Sequence, residues 1–160
     1  MNRHVSARLT TALVLVALLG PAPRATAQTE EKAIVQVVYD LFDGMRNKDA
    51  EKIRGVFAEG ARLGRVGREG SVMYTTAEGF AMNISQMTPS IDERIWDWEV
   101  RIDGNLAQLW TKYDVLIDGD FSHCGVDAFQ LLNVDREWKI IHVADSRHTG
   151  PDCWRYPGNE

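Results

Sequence analysis

The chain has 160 residues, and its 23 acidic residues against 18 lysines and arginines leave a net charge of −5. Such a balance argues against nucleic acid and anionic membrane as partners. The length suits one domain with its own core once the N-terminus is set aside.

The first residues read as a leader. Arg3 and Arg8 form a basic start, Ala12 to Leu19 is an unbroken apolar run, and Ala25-Thr26-Ala27 is a small-x-small cleavage site. Together these predict a secretory signal peptide over residues 1–27, a periplasmic or secreted product, and no membrane association after cleavage. The apolar run is well short of the roughly 20 residues of a membrane-spanning helix. Cleavage removes Arg3, Arg8 and Arg24 and no acid, so the balance moves from −5 to −8 for a single domain over residues 28–160. Cys124 and Cys153 remain, and in an exported protein an even count permits a disulfide. That bond would tie the C-terminal tail to a central strand; two separate thiols are the alternative.

Thr29-Glu30-Glu31 opens a first helix, with Ile34, Val37, Val38, Leu41, Phe42 and Met45 on one face. Asn47-Lys48-Asp49 breaks it, and Asp49 caps a second helix that carries Ile53, Val56 and Phe57 and stops at Gly60. Gly64, Gly67 and Gly70 predict short strands around a glycine-rich turn, without the spacing of a phosphate loop. A third helix runs from Thr75 or Thr76 to Met87. From there alternation has period two. Trp96, Trp98, Val100 and Ile102 share a face, Asp103-Gly104 turns, and Ala107 to Ile117 forms the next strand. After Asp118-Gly119, the stretches Phe121–Leu132 and Trp138–Arg147 complete four antiparallel strands. Helices followed by a strand meander give an α+β fold, with three helices in the concave face of a strongly curved, mainly antiparallel sheet. The result is a cone with an internal cavity.

On the strand from Phe121, the residues His123, Gly125, Asp127 and Phe129 point to one side. If Tyr113 and Phe129 face the cavity, so do His123 and Asp127, and on the last strand Ile140, His142, Ala144 and Ser146 are expected to join them. Asp145 and Arg147 then share the opposite face, where they could pair. The expected lining is Trp98, Tyr113, His123, Asp127, Phe129 and His142, a largely apolar site with a few polar groups. A carboxyl in such a place is either paired or raised in pKa, which makes Asp127, His123 and His142 the candidates for any catalysis. His123, Asp127, His142 and His148 lack zinc-motif spacing, so neither metal nor cofactor is expected. No G-x-S-x-G elbow is present.

The helix pair, Val56-Phe57-Ala58-Glu59-Gly60-Ala61, the third helix and the strand meander resemble the nuclear transport factor two-like superfamily, which includes ketosteroid isomerase and polyketide cyclases. More narrowly, FSHCGVDAF, W-K-I-I and D-S-R resemble secreted members of the lumazine-binding and polyketide-cyclase-like branch. The resemblance implies that Asp127 is the carboxylic acid that hydrogen-bonds a substrate oxygen. It also places the isomerase base at Arg65, which cannot accept a proton, and the oxyanion-hole tyrosine at Leu41, with Tyr39 two residues away. Steroid isomerisation is therefore not the expectation. The leading reading is an exported domain that binds a small apolar or aromatic ligand, with a homodimer as its expected assembly. The alternatives are an isomerase, cyclase or dehydratase using an Asp127–His123 or Asp127–His142 pair, and a dimeric interaction module without ligand.

Overall fold

The computed structural model describes residues 23–67 and 69–159, so the leader expected over residues 1–27 lies, up to residue 22, outside the described residues. Helices α1 (Pro23–Asn47) and α2 (Ala50–Gly55) form the expected hairpin. Its turn works because Lys48 takes a positive φ of 54° and the Asp49 side chain accepts from the Lys52 N–H at 3.0 Å. On α1, Ile34, Val38, Leu41, Phe42 and Met45 recur at helical spacing and are buried.

The second helix is shorter than the sequence predicts. It ends at Gly55, and Phe57 to Gly60 belong to strand β1 (Phe57–Val66). Sheet pairing overrides the helical pattern: the Ile140 N–H donates to Val56 O at 2.9 Å, and Phe57 lies beside Ile140 in parallel register. Gly60, with φ of 76°, sits within the strand irregularity between Phe57 and Arg62 instead of stopping a helix.

A glycine turn joins β1 to β2 (Val72–Thr76), and α3 (Ala77–Ser85) follows with Thr76 as its cap, Oγ1 accepting from Gly79 N–H at 3.0 Å. Then come β3 (Ile91–Asp103), β4 (Leu106–Ile117), β5 (Asp120–Val134) and β6 (Glu137–Asp145). The sheet order is β2-β1-β6-β5-β4-β3, antiparallel throughout except for the parallel β1–β6 pair. This is the expected α+β class: a curved, unclosed sheet whose concave face packs Leu109, Phe129, Leu131 and Ile140 against the apolar stripe of α1. Neither layer could bury its apolar residues alone.

The tail after β6 covers part of the other face. Cys124 and Cys153 are disulfide-bonded, and the His148 N–H donates to Cys124 O at 2.8 Å. Further on, the Trp154 indole N–H donates to Tyr113 O at 3.2 Å and the Tyr156 N–H to Asp114 Oδ2 at 2.9 Å. Asp114 is fully buried and also accepts from Arg94 Nε at 2.8 Å and Nη2 at 2.6 Å. These three donors offset the cost of desolvating a carboxylate, which is several kcal/mol when it is left alone.

The disulfide closes a sequence separation of 29 residues. In the chain-entropy model such a loop contributes roughly 3–4 kcal/mol through the unfolded state. Cys153→Ser should lower the urea-unfolding free energy by about that amount, and the unreduced wild type should show no titratable thiol. An unchanged unfolding free energy would mean that the tail's other contacts hold it unaided.

Candidate functional site

Alternation decides which side chains reach the concave face, and of the register shifts in the sheet two move expected site residues, one in the β5–β6 pair and one in the β3–β4 pair. In the β4–β5 pair, Leu109 faces Phe129, Thr111 faces Asp127, Tyr113 faces Gly125 and Val115 faces His123, all pointing inward. Gly125 is required here. A Cβ at that position would lie 2.0 Å from Ser146 O and 2.6 Å from the Tyr113 ring. The ring instead crosses the glycine, and its hydroxyl donates to Ser146 O at 2.8 Å.

The first shift lies between the Gln130–His142 and Leu131–Ile140 pairs, where β6 carries one extra residue. Ile140 and Val143 are both buried, so the inward series changes parity between them. His142, expected in the cavity, consequently lies on the outer face, near Gly64 and Tyr74. Ala144 and Ser146 leave the inward series with it. Asp145, expected on the opposite face with Arg147, turns inward directly across from Asp127.

The second shift lies between Trp96 and Glu99 on β3, where Asp97 takes a positive φ of 56°. Ile91, Glu93 and Ile95 face inward before it, Val100 and Ile102 after it. Trp96, expected inward, packs on the outer face edge-on to Tyr156 at 5.7 Å. Trp98, expected in the lining, is 40 % exposed and meets Tyr39 edge-on at 6.2 Å, away from the pocket. Glu93, absent from the expected set, lines the pocket instead.

Tyr113, His123, Asp127 and Phe129 converge on an inner pocket of about 120 Å³, walled by Leu41, Phe42 and Met45 of α1, Leu63 and Arg65 of β1, Phe80 of α3, and Val143. The positions matched to the isomerase tyrosine and base, Leu41 and Arg65, do face this space. An outer chamber of about 630 Å³ shares Arg65, Phe80, Glu93, His123 and Asp145 with it and is bordered further by Tyr74, Met87, Ser122 and Arg147. An apolar cavity of about 150 Å³ takes one benzene, so the inner pocket suits about one ring and anything larger extends outward.

Asp127 is 4 % exposed, and its Oδ2 is buried with no fixed donor in reach among the described residues. The group that does approach Asp127 is the Glu93 carboxyl, which donates only when protonated. Burial first and the Glu93 charge second push the Asp127 carboxyl well above the usual range. Burial likewise lifts Glu93 to about 8, against the pull of its hydrogen bond to Asp127. The pair therefore keeps at least one proton at neutral pH.

His123 is not the partner of Asp127. Its Nδ1 lies 3.0 Å from Ser122 Oγ and its ring meets Tyr113 edge-on at 5.8 Å. Burial first, then the charges of Arg147 and Arg65, lower its pKa to about 4, so the imidazole is neutral. The Asp–His pair anticipated from the sequence is thus replaced by a carboxyl–carboxyl pair. Burial also pushes the Tyr113 phenol far up, which keeps it un-ionised. Among the described residues no group of three or more His, Cys, Asp or Glu side chains is placed to hold a metal ion. No helix among them is long and apolar enough to cross a membrane.

Residues 29–144 match the family described as "Putative lumazine-binding". No curated protein matches the chain. Among solved structures, an NTF2-like protein with a cystatin-like fold from Novosphingobium aromaticivorans superposes with a TM-score of 0.69 at 14 % identity, over 87 % of this chain and 95 % of that one. An NTF2-like protein of unknown function from Shewanella baltica gives 0.63 at 20 % identity, over 77 % and 97 %. A protein described as a "Putative Scytalone Dehydratase", also from N. aromaticivorans, gives 0.65 at 12 % identity, over 85 % and 98 %. At these identities the likeness is one of fold.

The carboxyl pair has a signature in stability. An acid whose native pKa lies above its unfolded value binds more protons folded than unfolded between the two. Its contribution to stability therefore falls as pH rises from the ordinary glutamate value of 4.5 towards about 8. His123 contributes in the opposite sense, but only between about 4 and its ordinary 6.5. Above that window the urea midpoint of the wild type should drop towards pH 8, and Glu93→Gln should flatten the drop. Equal slopes in the two proteins would show that Glu93 carries no raised pKa.

Proposed function

Because the chain belongs to the "Putative lumazine-binding" family of the nuclear transport factor two-like superfamily, we propose that it is an exported domain binding a small, largely apolar or aromatic ligand in its concave pocket. The observation that carries this reading is Asp127: a buried carboxyl with an unsatisfied oxygen, aimed into a mostly apolar pocket beside a second acid. Buried polar groups without partners are rare in folded proteins and cost about 1–3 kcal/mol each, so a ligand that supplies the partner gains from it. Phe42, Phe129 and the Tyr113 ring form apolar walls, and the Asp127 oxygen left over from the Glu93 hydrogen bond would accept from a ligand hydroxyl or N–H. Lumazine, a flat heteroaromatic with carbonyl and N–H groups, belongs to the class such a site takes. Trp98 and His142 have no part in it.

A second reading, catalysis of the isomerase, cyclase or dehydratase kind, draws on the same pair. A carboxyl brought to about 8 beside another is suited to general acid–base work near neutral pH. Its expected mark is solvent deuterium entering an enolisable cyclic ketone, and its absence leaves binding alone. Export is supported by the Cys124–Cys153 disulfide, which persists in oxidising compartments. Homodimerisation draws on Leu106 and Trp110, 48 % and 52 % exposed on the same outer face of β4. N-terminal sequencing and sedimentation of the exported protein read both.

The test of binding uses p-cresol, one ring with one hydroxyl. The wild type should bind it saturably with a Kd of about 1 mM or tighter. Asp127→Leu should weaken binding roughly tenfold while melting no lower, because the apolar residue removes the desolvation cost together with the ligand contact. Absence of saturable binding by the wild type would sink the reading.

A further inference from the structure

The outer chamber holds two cations, Arg65 and Arg147, that share one nearby acid, Asp145. Several surface cations are held by acids: Arg46 by Asp92, Lys52 by Asp43, Arg54 by Glu78, Lys112 by Asp97. Arg65 and Arg147 both line the outer chamber, and neither forms an ion pair or side-chain hydrogen bond among the described residues. In a chain of net charge −5, two guanidinium groups gathered at one pocket mouth are not explained by general solubility. Their charges meet at the boundary between the chambers, since both discourage protonation of His123 and both favour ionisation of Asp145.

The acids nearby do not occupy both guanidinium forks. Asp145 is one carboxyl against two arginines, and Glu93 is engaged with Asp127. Each arginine has five N–H donors in a planar arrangement that matches a carboxylate through two parallel hydrogen bonds. The inner pocket accommodates about one ring and the outer chamber, at about 630 Å³, the remainder of a larger molecule. Building on the binding reading above, we infer that the ligand is an aromatic or cyclic carboxylic acid. Its ring enters the inner pocket beside Asp127, and its carboxylate lies in the outer chamber between Arg65 and Arg147. The two arginines are specificity-determining residues: they select acids over neutral molecules of the same ring.

Two probes with the same phenol ring separate this inference from the reading on which it rests. Calorimetric titration should show 3-(4-hydroxyphenyl)propionate binding at least roughly tenfold tighter than neutral p-cresol, a difference of about 1.4 kcal/mol. The preference should shrink at high salt, because the mouth is open to solvent. Arg65→Gln and Arg147→Gln are changes at exposed positions and should leave the melting temperature unchanged. Each should cut the preference, and the double variant should bind the acid no tighter than it binds p-cresol. If wild type binds both probes equally, the inference falls and the pocket stands. If the acid keeps its advantage in the double variant, the arginines are not the selector and the inference also falls. If neither probe binds, the pocket reading and the inference fall together.

Discussion

A sheet that packs its core against one face imposes a strict rule on that face. Every inward position must be apolar or must find a partner, and inward positions recur at every second residue. Most of this molecule obeys by being apolar, as the run Ala107, Leu109, Val115 and Ile117 on β4 shows. The exceptions cluster on the same concave surface: Asp127 on β5, Asp145 facing it on β6, and Glu93 on β3. One acid on a buried face can be accommodated by a backbone donor. Three together, with one Asp127 oxygen left without a donor among the described residues, oppose the packing logic of the rest of the fold and mark where stability has been given up.

The same rule explains what the sequence revealed and what it concealed. Asp127, His123, Tyr113 and Phe129 lie on regular stretches of β4 and β5, so counting by two placed them correctly on the concave face. Trp98, His142 and Asp145 lie at or beyond irregular steps, where counting by two fails by one residue and every later side chain changes face. Glu93 left a trace that could have been read. Ile91 and Ile95 are odd-numbered inward residues, whereas Val100 and Ile102 are even-numbered, and that switch of parity announces a bulge between them. The second helix failed for another reason: Val56 and Phe57 fit a helical stripe, but the parallel partner that draws Phe57 into the sheet lies far along the chain at Ile140. Only tertiary pairing supplies that information.

Charge is distributed with a similar logic. The inner pocket suppresses ionisation, holding a proton on the carboxyl pair and keeping His123 neutral. The outer chamber, partly open to solvent, carries full charges in Arg65 and Arg147. Arg65, Glu93 and Asp145 stand where the two chambers join, Arg147 borders only the outer one and Asp127 only the inner one.

The tail couples the redox state of two cysteines to an ion pair that contains neither of them. The carboxylate of Asp114 is covered on the outer face by the Tyr156 backbone, whose N–H donates to it at 2.9 Å. Tyr156 follows closely on Cys153, which the disulfide anchors to Cys124. Reduction removes that anchor, and with it the covalent hold on the segment that screens the Arg94–Asp114 pair from water.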